Sequence, residues 1–368
     1  MRSHLDNLLL HSCISVVLFL CCGKPKIGHD WPTFRGNLER TGVSIDPGPG
    51  DNPELVWQTR LESRSSSSPT AANGFLFIGH GGGVTCLNVF TGTKIWDFPT
   101  DNKVFSTPTY YEGSLFFGSK NGHLYHLNAT DAEIVWQFQS GAAVDCSPAA
   151  TDNSIYFGNF NGVFYSLKID EQMINWVFPA GNWIVGSAAY DGKALFFGCR
   201  DSTFYAIDDG SGQSIWEFRA EADINDTPAI SGERVFFGSQ EGTIYCLDKK
   251  SGEIIWEFPT AGAVFSSPAI SAGRLFCGST DSTMYCLDAL SGDEIWRFKT
   301  DGFIYSSPAV CGKRVYFGSL DGHIYALDTE TGELRWEHNL VYTITSSPLI
   351  YADLLIVSTD AGTVHAFR

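Results

Sequence analysis

From residue 54 to the C-terminus, short apolar runs rich in β-branched and aromatic residues alternate with joints of Gly, Asp, Asn and Ser. One stretch displays the unit: SSPAI (266–270), RLFCGS (274–279), TMYCLD (283–288) and EIWRF (294–298), joined by SAG, TDS and ALSGD. The runs are too short for helices and lack a 3.6-residue period, so each unit predicts four short β-strands. The joint between the second and third runs recurs as KNG, FNG, QEG, LDG and DAG. These supply the positive φ that a two-residue hairpin needs, which makes the unit a four-stranded antiparallel meander.

The unit is repeated with little variation. Trp57, Trp96, Trp136, Trp176, Trp216, Trp256, Trp296 and Trp336 are separated by 39 residues once and by 40 residues six times. A period of about 40 residues means stacked supersecondary units. A sheet with two apolar faces must bury both against neighbours, as blades around an axis do. Pro69, Pro108, Pro148, Pro228, Pro268, Pro308 and Pro348 open the units, and Ala188 replaces Pro in the fourth. The chain ends after TVHAF (363–367), the third strand of the eighth unit, while ELVWQT (54–59) is a Trp strand with nothing before it to pair with. The fold expected is therefore an all-β, single eight-bladed β-propeller. The N-terminal strand closes the ring by completing the last blade, which removes exposed sheet edges.

The first 22 residues read as an export signal, with Arg2 at a thin positive start and an apolar run Ile14 to Leu20 ending at Cys21 and Cys22. That run is too short to span a bilayer. Cys22, followed by Gly23, is placed like the lipid-accepting cysteine of a bacterial lipoprotein, although Phe19 and Leu20 depart from the usual box. The organisation expected is 1–22 export signal of lipoprotein type, 23–53 a leading segment or linker, and 54–368 the propeller. The chain should then reach the periplasm or outer membrane, held by an N-terminal lipid.

The net charge of −17 repels phosphate, so nucleic acid is excluded as a partner on electrostatic grounds. After Cys22 the cysteines are Cys86, Cys146, Cys199, Cys246, Cys277, Cys286 and Cys311. Cys86, Cys246 and Cys286 share one repeat position with His126, Ser166 and Ala206. Equivalent positions in packed sheets lie about 10 Å apart, beyond disulfide reach. They are expected as free core thiols, and no CxxC metal spacing is present.

Eight Trp-bearing units, five of them with a turn Gly four residues before the Trp, preceded by WPTFRG (31–36), resemble the pyrroloquinoline-quinone-repeat (PQQ-like) β-propellers over nearly all of 31–368. That resemblance implies the fold and is nearly silent about function. It admits quinone-dependent dehydrogenases and also the BamB-like outer-membrane assembly lipoproteins, whose single compact propeller is the closer layout. A quinoprotein of this kind implies a calcium or lanthanide ion held by carboxylates and an amide, a basic group at the quinone, and commonly a vicinal disulfide. The only adjacent cysteines are Cys21 and Cys22, in the export segment, and the even Trp spacing leaves no long insertion to wall a cofactor.

The residues just before the inner strands line the channel. There Asp145, Asn225 and Asp226 interrupt a series otherwise made of Ser, Thr, Gly, Cys, Val and aromatic residues. They are the candidate ligand or metal groups, against the plainer reading of polar groups facing channel water. Trp183, outside the 40-residue series, together with Phe303, Tyr305 and Tyr342, falls in the connections that form one mouth of the propeller. Aromatic residues there suit protein contact. Arg64, Lys103, Lys120 and Arg200 lie nearby. The leading expectation is a monomeric, non-catalytic scaffold that binds envelope protein partners and needs no cofactor or metal. The runner-up is a propeller binding pyrroloquinoline quinone with calcium, or another small ligand, as a dehydrogenase.

Overall fold

The computed structural model describes residues 28–368. The segment expected as an export signal, with Cys22, lies outside the described residues. Eight antiparallel sheets follow one another around an axis, each ordered from an inner to an outer strand. In blade 1 these strands are Thr70–Ala72, Phe75–His80, Gly83–Asn88 and Lys94–Pro99. Blade 8 combines Leu349–Tyr351, Leu354–Ser358 and Thr363–Phe367 with Leu55–Arg60 from the other end of the chain. Trp57 pairs with Ala366 and Thr59 with Val364, and Glu54 and Arg368 exchange backbone hydrogen bonds of 2.9 and 3.0 Å. The predicted closure is present.

The repeated residues are the contacts between blades. The indole N–H of Trp57 donates to the Val89 carbonyl, that of Trp96 to Ala129, and so on by 33-residue steps to Trp296 and Thr329. Five of these Trp residues, Trp57, Trp176, Trp216, Trp256 and Trp296, lie against the turn glycine of the next blade. A Cβ on Gly92, Gly212, Gly252, Gly292 or Gly332 would stand 2.4–2.7 Å from the indole, and each of these glycines has positive φ. Where Gly stands four residues before a Trp it is thus a seat for the preceding blade's indole, which only a residue without a Cβ provides freely. Ala132 and Gln172 occupy this place in blades 2 and 3 at φ 62° and 54°, a strained conformation for both.

The residue before each opening Pro is Ser or Thr for an equally physical reason. The backbone N–H of Thr107 donates to the Ser147 hydroxyl, Ser147 to Ser187, Ser187 to Thr227, and the series continues through Ser267, Ser307 and Ser347 back to Ser68. A belt of hydroxyls therefore links blade to blade around the channel. Between blades the core is apolar, as where Phe236, Cys246 and Trp256 meet Val264, Leu275 and Cys277. All seven cysteines of the propeller are free and buried, as expected.

The hairpins between second and third strands differ from expectation. In blade 2 the Gly122 N–H bonds the Ser119 carbonyl and the Ser119 N–H bonds His123, with positive φ at Gly122 alone. This is a three-residue connection with a left-handed glycine at its end, and the extra residue before it makes the two-residue turn unnecessary.

Residues 28–53, expected as a leading segment or linker, pack as a strap across the face of the ring where the inner strands end. Trp31 bridges Ala71 in blade 1, the Pro32 carbonyl accepts from Tyr110 in blade 2, and the Leu38, Glu39, Thr41 and Gly42 carbonyls accept from blades 4, 5, 6 and 7. Val43–Ser44 then pairs in parallel with Ala309–Cys311, and the Asp46 carboxylate accepts from Ala352 in blade 8. Arg35 and Arg40 project from the strap into the channel axis, fully buried. Arg35 donates to the Pro268 and Pro308 carbonyls; Arg40 donates to those of Pro148, Ala188 and Phe34 and to the Thr33 hydroxyl. Burial pushes both guanidinium groups down to about 9, still above neutrality, so both remain cations held by carbonyl dipoles.

Candidate functional site

With one face strapped, the open end of the propeller is the mouth formed by the connections into the inner strands and the hairpins between second and third strands. Its centre is a pocket of about 180 Å³ floored by Phe34 of the strap and ringed by the hydroxyl belt. Asp145, Asn225 and Asp226 all line it, so the structure brings the three sequence candidates to one place. Each leaves one oxygen buried without a hydrogen-bond partner.

The fold accounts for the two carboxylates. Asp226 stands where Ser106, Ser306 and Ser346 each latch an inner strand to the strand beside it, and its Oδ2 accepts from the Gly238 N–H at 2.7 Å. Burial raises its carboxyl well above the usual range, which favours the protonated acid in a hydroxyl's place. Asp145 is raised by burial too, opposed by Lys120, whose Nζ lies 2.8 Å from Oδ2. A calcium-bound tricyclic quinone does not fit this set. The pocket is below the 300 Å³ or so at which ligand cavities begin, burial disfavours the charged form of one carboxyl, and the other is already paired with Lys120.

The rim carries a different arrangement. Trp183 is 42% exposed and stacks on Phe160 from the preceding blade, with centroids 4.5 Å apart and planes within 10°. The Arg200 guanidinium lies 5.1 Å from the indole centroid and is held by Asp223 at 3.0 Å. On the other side Lys120 sits between Phe160 and Phe105, 4.8 and 4.9 Å from their centroids. Blades 2, 3 and 4 thus contribute to one row in which Lys120 and Arg200 flank the Phe160–Trp183 stack, and such contacts fix side chains before any partner arrives. Backbone bonds set its register: the Asn182 carboxamide accepts from the Trp183 N–H and donates to the Arg200 carbonyl.

Phe303 and Tyr342 are on the same rim, 48% and 50% exposed. Tyr305, grouped with them by sequence, is instead half-buried inside the channel pocket against Phe265, with centroids 5.2 Å apart. It sits two residues nearer its inner strand than Phe303, which turns it toward the axis. Sequence reasoning missed Phe160. Its signal was an aromatic at a hairpin position held by Lys120, Arg200 and Gln240 in neighbouring units.

A family model described as "Beta-alanine-activating enzyme, beta-propeller" matches residues 115–368, and one described as "Outer membrane protein assembly factor BamB" matches residues 44–176. A curated relative, the beta-alanine-activating enzyme of Danio rerio, is 41% identical over 63 residues, which are 17% of this chain and 6% of that protein. Among solved structures, BamB from Moraxella catarrhalis superposes with a TM-score of 0.75 at 16% identity, covering 86% of this chain and 97% of that one. A europium-containing methanol dehydrogenase gives 0.81 at 13% identity, with coverage of 92% and 98%. A quinohemoprotein alcohol dehydrogenase from Comamonas testosteroni gives 0.79 at 12%, with coverage of 92% and 80%. At these identities the structures share the fold, and the fold alone is common to scaffold and dehydrogenase.

Proposed function

We infer that this chain, which belongs to the family described as the beta-propeller of the beta-alanine-activating enzyme, is a non-catalytic binding module that docks a protein partner on its open mouth. The observation that carries this reading is the half-exposed Trp183, stacked on Phe160 and flanked by Arg200, on the one face that the strap leaves open. Trp and Arg are the residues that dominate binding energy at protein interfaces, and a ring already fixed by its neighbours loses little entropy on docking. Phe303 and Tyr342 extend the aromatic rim toward blades 7 and 8. The BamB-like match over 44–176 is in keeping with a scaffold, and the export reading of residues 1–22 would put that scaffold in a cell envelope.

The reading is tested by placing a photo-cross-linking amino acid at position 303 or 342 on the mouth, or at position 45 on the strapped face, in the full chain in its own cells. The mouth positions should trap one discrete protein, and Trp183→Ala should remove that adduct. Equal adducts from position 45, or adducts indifferent to Trp183, would refute the docking face.

A further inference from the structure

The strap's main chain hydrogen-bonds to blades 1, 2 and 4 to 8 but not to blade 3, which receives only the Arg40 guanidinium, at the Pro148 carbonyl. After Pro32 accepts from Tyr110, the chain turns across the channel through Thr33 to Asn37 and returns to the ring only at Leu38, which accepts from Tyr190 in blade 4. Beneath that crossing the end of the inner strand Ala149–Ala150 is left open, and a cleft of about 670 Å³ lies there, with Leu38 of the strap in one wall. This volume is well inside the range of small-molecule sites and several times that of the channel pocket.

The walls are where the repeat breaks. The turn after the inner strand of blade 3 is Thr-Asp-Asn, and Asp152 stands where blades 4 and 5 have Gly192 and Gly232. Asp209 fills a place held by Val89, Ala129, Ile169, Lys249, Ala289 and Thr329 elsewhere. Its carbonyl accepts from the Trp176 indole at 2.7 Å, as that position does for six other repeat indoles, and this brings its carboxylate beside the ring. Tyr156 lies 6.0 Å from Trp176 and 5.8 Å from Tyr190, centroid to centroid. The Tyr190 hydroxyl donates to Asp209 at 2.6 Å and the Tyr111 hydroxyl to Asp152. Each carboxylate keeps a second oxygen free of hydrogen bonds, neither takes part in a salt bridge among the described residues, and no Lys, Arg or His lines the cleft.

We propose that this cleft, between blades 3 and 4 on the strapped face, binds a small ligand carrying an alkylammonium group. Four aromatic rings supply the negative faces that attract such a cation, and Asp152 and Asp209 supply the opposing charge, the arrangement by which proteins recognise choline-like groups. Asn153 at the edge offers an amide donor and acceptor to the rest of the ligand, and Asn175, whose Nδ2 already donates to Ser154 and Ser166, offers its carbonyl oxygen. The site is independent of the mouth and of the docking function proposed for it.

The probe is choline, with 3,3-dimethyl-1-butanol as its uncharged isostere, titrated into the purified propeller by calorimetry and by ligand-observed NMR. Saturable choline binding at least about tenfold tighter than the alcohol is expected. Asp152→Asn combined with Asp209→Asn keeps the shape and the tyrosine hydrogen bonds. It should weaken choline about tenfold, leave the alcohol unchanged, and leave the circular dichroism and melting temperature as they were. Tyr111→Ala, on the exposed side of the cleft, should also weaken choline, whereas Trp183→Ala should not. Absence of saturable choline binding, equal affinity for the two probes, or unchanged choline affinity in the doubly substituted chain would overturn the assignment.

Discussion

Replacing Gly252 by Ala tests the reading of the Gly-to-Trp spacing as a seat for the neighbouring blade's indole. Gly252 has φ of +73°, and a Cβ there would lie 2.6 Å from Cδ2 of Trp216. A left-handed conformation costs an Ala about 1–2 kcal/mol. Moving the indole to ordinary contact distance adds about 1–3 kcal/mol of overpacking and strains its 3.0 Å bond to the Lys249 carbonyl. Against this, Ala loses about 0.5–1 kcal/mol less chain entropy than Gly on folding. The net loss should be about 2–3 kcal/mol, read as a lower urea midpoint in tryptophan fluorescence. The same logic reverses at Ala132, which holds φ 62° at the equivalent place. Ala132→Gly relieves the strain at the smaller entropic cost, so it should stabilise the ring by about 0.5–1 kcal/mol. A neutral Gly252→Ala, or a destabilising Ala132→Gly, would refute the reasoning.

Other outcomes follow from the same structure. Burial raises the Asp226 carboxyl, so above about pH 4, where the unfolded carboxyl titrates, the folded chain holds its proton more tightly than the unfolded one and stability falls as pH rises. Asp226→Ser, restoring the residue of blades 2, 7 and 8, should remove that slope. It should match the parent below pH 4 and exceed it by roughly 1–3 kcal/mol at neutral pH in denaturant titrations; an unchanged pH profile would contradict the assignment. The purified propeller incubated with calcium and pyrroloquinoline quinone should give neither saturable quinone binding nor dye-linked alcohol oxidation. Should the quinone bind, Ala at Asp145, Asn225 and Asp226 together would be expected to abolish it. Cys22→Ser should move the protein from membrane to soluble fractions and abolish fatty-acid labelling, whereas labelling of neither variant nor parent would remove the lipoprotein reading.

What was legible in the sequence was whatever each blade repeats. The Trp series, the Gly before it, the Ser or Thr before each Pro and the orphan strand at 54–59 each encode a contact with the next blade, and nearest-neighbour contacts recur with the period. The strap was not legible, because it occurs once and its partners are remote: Arg35 meets carbonyls 233 and 273 residues away. The Phe160–Trp183 stack escaped for a related reason, since the two rings come from a hairpin and a connection of different blades. The split between Phe303 and Tyr305 followed from local direction near the inner strand, which composition does not report. The cleft over blade 3 needed both the breaks in the repeat, which were visible, and the strap's crossing, which was not.

The central claim, that the mouth around Trp183 is a docking surface, is tested most directly by the dissociation constant of the purified propeller for the partner trapped at that mouth, compared with Trp183→Ala. Truncating a central aromatic anchor costs about 2 kcal/mol or more, so the variant should bind at least about 30-fold more weakly, with its melting temperature unchanged. An unchanged constant would show that the partner is held elsewhere and that the exposed indole is not its anchor.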